Sequence, residues 1–242
     1  MGQITNSFLE AFKLIFSFDP ELIEILYLSF EITIIAVLIS SFIGIPLGTV
    51  LACTRFYFRK AIISIFFALM GLPPVVVGLF VYLIFSRSGT LGWMGLLYSP
   101  TVMIIAQIIL ITPIICCLTF QTIESVHLKY REFFQSFHIG RLKAVNAYII
   151  DSRFELITVI LAGFGRSISE VGAIIIVGGN IDHLTRVMTT AIALETSKGN
   201  LSLAMGLGII LLLVAVFVNV AMIFIKNKFL NPSNQDLSLI HI

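Results

Sequence analysis

Charge is scarce in this chain, and so are the residues on which most catalytic and metal chemistry depends. Of 242 residues, 15 are Lys or Arg, 13 are Asp or Glu and 4 are His, so 12% are charged. A soluble domain carries about twice that share. With 58% hydrophobic residues and a mean hydropathy of +1.06, the solvent this chain must face is lipid. The net charge of +2 is too small for a nucleic-acid binder. The three cysteines, Cys53, Cys116 and Cys117, lie in apolar stretches without metal-ligand spacing and act as small apolar fillers. There is no P-loop for nucleotide, no His-Glu-x-x-His zinc motif, no nucleophile elbow and no Cys–His cluster. The chain is therefore expected to bind no metal or cofactor of its own and to be no enzyme. Residues 1–18 lack the basic start and small-residue site of a cleavable leader.

What is present is long apolar runs. A bilayer core of about 30 Å needs roughly 20 helical residues to cross it. Five segments qualify: 32–54 with an earlier start, 61–86, 101–123, 154–178 and 202–225. Asp19-Pro20-Glu21 marks the first helix start, with an N-cap residue, a first-turn proline and an acidic follower. The expected fold is an all-α integral membrane bundle of five spans. Residues 1–20 form an interfacial segment, 21–228 the membrane domain, and 229–242 a tail. The last six residues, "LSLIHI", match a translated sequencing-adapter frame and are taken as an assembly artefact.

Lysine and arginine set the orientation. Alternating loops place Arg55, Arg59, Lys60, Lys129, Arg131, Arg141, Lys143, Arg153, Lys226 and Lys228 on one side, ten of the fifteen basic residues. The N-terminus is then outside and the C-terminus in the cytoplasm.

Three features interrupt the oily pattern. "GLPPVVVG", residues 71–78, puts Pro73 and Pro74 in the middle of the second span, where missing backbone donors leave carbonyls that lipid cannot satisfy. Such backbone belongs against protein or a water-lined route, or it kinks a packed helix. Pro113 repeats the theme in the third span. The cytoplasmic connection 127–153 interleaves charges with Phe133, Phe134, Phe137, Val145 and Tyr148, the pattern of a short helix docking on a partner. Finally, "GFGRSISEVG", residues 163–172, places Arg166 and Glu170 at i and i+4 within an apolar span. Two readings stay open. The charges offset each other and fix the span against a neighbour, or Arg166 meets a passing anion.

These stretches resemble the membrane subunits of type I ABC importers. Their loop pattern puts Glu132 on a glutamate, Phe133 and Phe134 on two alanines, and His138 on a glycine. Tyr148, Ile150 and Asp151 then fall on an Ile-x-Leu-Pro end, and only Glu132 is identical. Gly140 and Arg141 belong to the same loop. "SEVGAIIIVGGNI" (169–181) and "TRVMTTAIALETSKG" (185–199) are similar to molybdate- and tungstate-type permeases, closer to the tungstate branch. The matching positions are Arg166, Glu170, Gly172, Gly178, Gly179, Asn180, Thr185, Arg186, Thr189 and Thr190. The resemblance implies ATP-driven import of an oxyanion, tungstate first and molybdate or another oxyanion of the class second. It implies a prokaryotic cytoplasmic membrane location and a second copy of the chain. It also implies cytoplasmic ATPase subunits that use the ATP, and an extracytoplasmic oxyanion-binding protein. Pro73, Pro74, Arg166, Ser169, Glu170, Gly179, Asn180, Thr185, Arg186, Thr189 and Thr190 are candidates for the substrate route. Readings of another class are a self-sufficient channel or an intramembrane enzyme, which Ser167 and Ser169 would have to serve without a nearby base.

The basic-residue asymmetry predicts that single cysteines at Ser88 and Ser125, on a cysteine-free background, are labelled by a membrane-impermeant maleimide from opposite sides. Labelling of both from outside would rule out the five-span orientation.

Overall fold

The computed structural model describes residues 19–138 and 140–230 with Lys13, Phe16 and Ser17, and only the backbone of Arg141 and of 226–230. The interfacial segment expected before residue 19 and the tail beyond 230 lie outside the described residues, apart from those three positions. All described regular elements are helices: α1 (Pro20–Cys53), α2 (Arg59–Met70), α3 (Pro74–Phe85), a 3-10 turn (Gly92–Met94), α4 (Pro100–Ser136), α5 (Arg141–Asp151), α6 (Arg153–Ile168), α7 (Gly172–Gly178), α8 (Met188–Lys198) and α9 (Leu201–Leu230). Helices α1, α4 and α9 are each long and apolar enough to cross a membrane. The count reaches five when α2 with α3, and α6 with α7, are each taken as one bent span. This is the expected all-α class, with two of the five spans broken.

Local chemistry sets the ends and breaks. Asp19 Oδ1 accepts hydrogen bonds from the backbone N–H groups of Glu21 at 3.1 Å and Leu22 at 3.3 Å, capping α1 as its sequence foretells. Pro74 opens α3 at a position whose N–H would be unpaired anyway, and the Pro73 carbonyl accepts from Val76 and Val77. Pro113 behaves differently, because α4 runs through it unbroken. The fourth span differs from expectation too. It stops at Ile168 and restarts at Gly172, so Arg166 and Glu170 do not share one continuous helix. The segment after it also contains α8, which the apolar pattern did not announce.

The described residues form two compact units. One comprises those of 19–39, 71–111 and 164–215. Its core joins Ile32 of α1, Val77 and Val81 of α3, Met103 of α4, and Ala173 and Val177 of α7. Gly78 lets α3 meet α7 closely, since a Cβ there would sit 2.8 Å from Ala173 Cα. A second cluster ties Leu22 and Ile25 to Met188, Ala191, Leu203 and Leu207.

The other unit comprises the described residues of 40–70, 112–163 and 216–230. Ser40, Gly44 and Gly48 recur every four residues on one face of α1, the small-residue spacing that lets membrane helices approach. Opposite them lie Ile115, Cys116 and Thr119 of α4. Cys116 and Cys117 are buried and free, packing with Leu51, Phe120 and Ile123 as apolar fillers. Arg59 closes the turn between α1 and α2: Nε donates to the Leu51 carbonyl at 2.7 Å, and Nη2 to Glu124 Oε1 at 2.7 Å.

A Cβ at Gly48 would lie 2.5 Å from Cys116 O and 3.0 Å from Phe120 N, both backbone atoms that cannot swing aside. Gly48→Ala is expected to lower unfolding stability in detergent by about 1–3 kcal/mol, the usual range for overpacking. A melting temperature equal to wild type would contradict this packing.

Candidate functional site

The two helix breaks, of which the sequence marked only the one at Pro73-Pro74, come together in the first unit. Gly172, first residue of α7, packs on Val75 near the start of α3. A Cβ on Gly172 would stand 2.8 Å from Val75 Cγ2. Glycine is required there by close approach. The Pro73-Pro74 break and the Ser169–Val171 break therefore adjoin, and irregular backbone within the apolar span is packed against protein rather than lipid.

Glu170 holds this junction. Its side chain is 4% exposed, against 39% for Arg166. Arg166 Nη1 donates to Glu170 Oε2 at 2.5 Å. Glu170 Oε1 accepts from the Ala173 N–H at 3.3 Å, so the same carboxylate caps α7. The Glu170 carbonyl accepts from Thr189 Oγ1 at 2.8 Å, which fastens the start of α8 to the break. Ser169 is exposed and its hydroxyl donates back to the carbonyls of Gly165 and Arg166. The pair is thus formed, with the carboxylate inside and the guanidinium half out.

Segment 178–190 uses its polar groups in the same structural manner. Thr185 Oγ1 donates to the Gly178 carbonyl at 2.6 Å and accepts from the Ile181 N–H at 2.9 Å. Thr190 Oγ1 bonds to the Val187 backbone, and Asn180 Nδ2 donates to the Thr190 carbonyl. Arg186, 10% exposed, bridges Asp182 at 2.7 Å and Glu21 of α1 at 3.4 Å. Gly179 and Asn180 take positive φ values of 71° and 50°, the left-handed turn that glycine and asparagine accept most readily. Two buried polar atoms here have no partner, Asn180 Oδ1 and Arg186 Nε. On the exposed rim, the Glu24 hydrogen bond and charge hold the His183 imidazole above its ordinary pKa.

Further buried polar residues complete the centre, and of these sequence reasoning passed over Ser29, Thr33 and Gln107. Ser167 Oγ donates to Gln107 Oε1 at 2.7 Å, and Gln107 Nε2 returns a bond to the Ser167 carbonyl at 3.3 Å. Ser29 Oγ accepts from the Met188 N–H at 2.8 Å. Their signal was present: Ser29 and Thr33 flank Glu31, and Gln107 stands alone, all inside apolar runs. Ser29, Thr33, Gln107, Ser167, Glu170 and Thr189 surround a cavity of about 10 Å³. That holds at most one water, so the polar centre is closed.

The second unit carries the loop 127–153, which is more helical than expected. Helix α4 continues to Ser136, and a short turn leads into α5. His138 has φ 52°, so it adopts the left-handed conformation where the importer pattern has glycine. Glu132 is exposed on α4. Phe134 tucks in, its ring 5.3 Å from that of Tyr148, while Phe133 and Phe137 stand 56% and 66% exposed. Gly140 precedes α5 and its carbonyl accepts from the Ala144 N–H, with Arg141 as the first helical residue.

An apolar chain whose intramembrane charges hold broken spans together, and whose connecting turn presents aromatic side chains, has the make-up of a membrane transport component. It belongs to the family of binding-protein-dependent transport system inner membrane components, whose shared pattern spans residues 44–230. It is thus a multi-pass permease subunit of the ABC transport class. Among its relatives is the tungstate uptake system permease protein TupB of Peptoclostridium acidaminophilum, 37% identical over 219 residues, covering 90% of this chain and 96% of the relative. The protein of the same name in Campylobacter jejuni is 37% identical over 228 residues, 94% of each chain. A probable anion ABC transporter permease protein of Haloferax volcanii is 37% identical over 205 residues, 82% of this chain and 88% of the relative.

A double-mutant cycle separates the two roles of the ion pair. Glu170→Gln strands Arg166 and weakens the α7 cap, and is expected to cost about 1–3 kcal/mol, less than a fully buried pair because Arg166 is partly solvated. Adding Arg166→Gln should restore part of that loss in detergent melts. If Arg166→Gln alone leaves stability untouched while abolishing uptake, the arginine serves substrate and not the fold.

Proposed function

We propose that this chain is the permease subunit of a tungstate importer. In this reading two copies form the pathway, cytoplasmic ATPase subunits supply the work, and an external binding protein delivers the oxyanion. The observation that carries it is the 37% identity to two tungstate uptake permeases across 90% and 94% of the chain.

Physical chemistry supports a division of labour. A dianion crossing lipid needs a route with donors and few free carboxylates. Glu170 is neutralised by Arg166, and the Arg166 guanidinium keeps donors to spare on its exposed side. Asn180, Thr185, Thr189 and Thr190 are bonded to backbone, so in the closed centre they shape the route rather than face a ligand. Opening requires the junction of α3, α7 and α8 to move, which is work that ATP hydrolysis in the partner supplies. The α4–α5 turn receives that work: exposed Phe133 and Phe137 give apolar docking area, and Glu132 adds a charge. The ten basic residues near this turn and its neighbouring loops support a cytoplasmic turn and an outside N-terminus. Tungstate and molybdate share shape and charge, so choice between them falls mainly to the binding protein.

The test is co-reconstitution with the neighbouring ATPase and binding protein, comparing tungstate, molybdate and sulfate. Tungstate should stimulate ATP hydrolysis most strongly at limiting concentration. Glu132→Lys should uncouple or weaken ATPase association while leaving membrane insertion intact. Stimulation by molybdate alone would move the substrate assignment, and normal uptake by Glu132→Lys would remove the docking assignment.

A further inference from the structure

A second polar feature lies wholly in the other unit and shares no residue with the closed centre. The ends of α1 and α4, the start of α2 and the inner face of α5 enclose a cavity of about 380 Å³. Arg55, Arg59, Arg131 and His127 line it, against one carboxylate, Glu124. Arg59 already satisfies Glu124 at 2.7 Å and spends its Nε on the Leu51 carbonyl. That pair is electrically complete.

Arg55 and Arg131 are different. Neither has a hydrogen-bond or ion-pair partner among the described residues, although both lie close enough to act on the His127 charge. His127 Nδ1 is itself buried without a partner, its ring edge-on to Tyr148 at 5.2 Å. Beside the unpaired imidazole nitrogen, two uncompensated guanidiniums lining one cavity repel each other when it is empty. They become mutually favourable when an anion sits among them. The flat guanidinium fork binds a phosphate-class oxyanion bidentately, as it does a carboxylate, and such charge-assisted bonds are among the strongest available.

We propose that this cavity binds a phosphate-class oxyanion, either free or as the headgroup of an anionic phospholipid. Arg131 and His127 line the cavity half-buried and Arg55 lines it from an exposed position, an opening that suits a small ligand over a docked protein. Ala144, Val145 and Tyr148 of α5 form one wall and Arg55 the other, so an occupant braces α5 against the end of α1. Occupancy would stiffen the element that carries the α4–α5 turn. The site stands whether or not tungstate is the transported ion.

The experiment uses the full chain in phosphatidylcholine nanodiscs, melted with increasing inorganic phosphate or sulfate at ionic strength held constant with chloride. Wild type should show a saturable rise in melting temperature. Arg55→Gln with Arg131→Gln should weaken the apparent affinity about tenfold or more. Without anion that variant should melt at or above wild type, since it loses like-charge repulsion, and this result also shows that it folds. In a second arm, native mass spectrometry of protein from mixed discs should show phosphatidylglycerol retained over phosphatidylcholine by wild type and not by the variant. Response in the first arm assigns a free anion, and response in the second alone assigns the lipid headgroup. No response in either arm, or equal responses from wild type and variant, would overturn the proposal. So would a rise in melting temperature produced only by adding the ATPase subunit, which would assign the arginines to a protein carboxylate.

Discussion

A carboxylate with 4% exposure inside an apolar bundle must be held from every side, and the first unit is arranged around meeting that demand for Glu170. Its two carboxylate oxygens take the Arg166 guanidinium and the Ala173 N–H, and its carbonyl takes Thr189. Each contact fastens a different element: the last turn of α6, the first turn of α7 and the start of α8. An unpaired charge at such depth costs at least about 2.5 kcal/mol on insertion scales. The same cost acts as a specification. Arrangements that separate α6, α7 and α8 leave the carboxylate unsatisfied and are disfavoured together.

The broken spans follow from that hub. Irregular backbone is tolerable in a membrane only when its polar groups are met by protein. Pro73 and Pro74 free carbonyls on one segment, and the Glu170 turn frees them on another. Gly172 and Gly78 let the two short helices that follow come close enough to shield both. The threonines at 185, 189 and 190 finish the work by bonding to backbone. A junction built this way can change shape by exchanging one set of hydrogen bonds for another, with little apolar core to unpack.

The second unit uses charge for a different purpose. Small residues on α1 give dense packing against α4, and Arg59 closes the turn with a satisfied ion pair. Beyond them the polar end of α4 turns back through His138 into α5. Exposed aromatic residues sit at that turn, and unpaired arginines sit in the cavity beside it. One feature suits a protein partner and the other a small anion, because an apolar convex surface and a cavity lined with cations solve different solvation problems.

Much of this was legible in the linear chain. Composition alone required lipid, and run lengths placed the spans, because the bilayer imposes a fixed thickness on any helix that crosses it. The cap at Asp19 and the pairing of Arg166 with Glu170 are local, set by residues within four positions of one another. The sequence could not say that Pro74 breaks its span while Pro113 does not, since neighbouring helices decide whether a freed carbonyl finds a partner. Nor could it show that Arg186 is claimed by Asp182 and Glu21, that Gln107 faces Ser167, or that Arg55 and Arg131 share a cavity. Those partners are as far as 165 residues apart along the chain. A side chain's unused hydrogen-bonding capacity depends on every group that reaches it, so which polar residues are spent on the fold and which remain for a ligand was decided only by the tertiary structure.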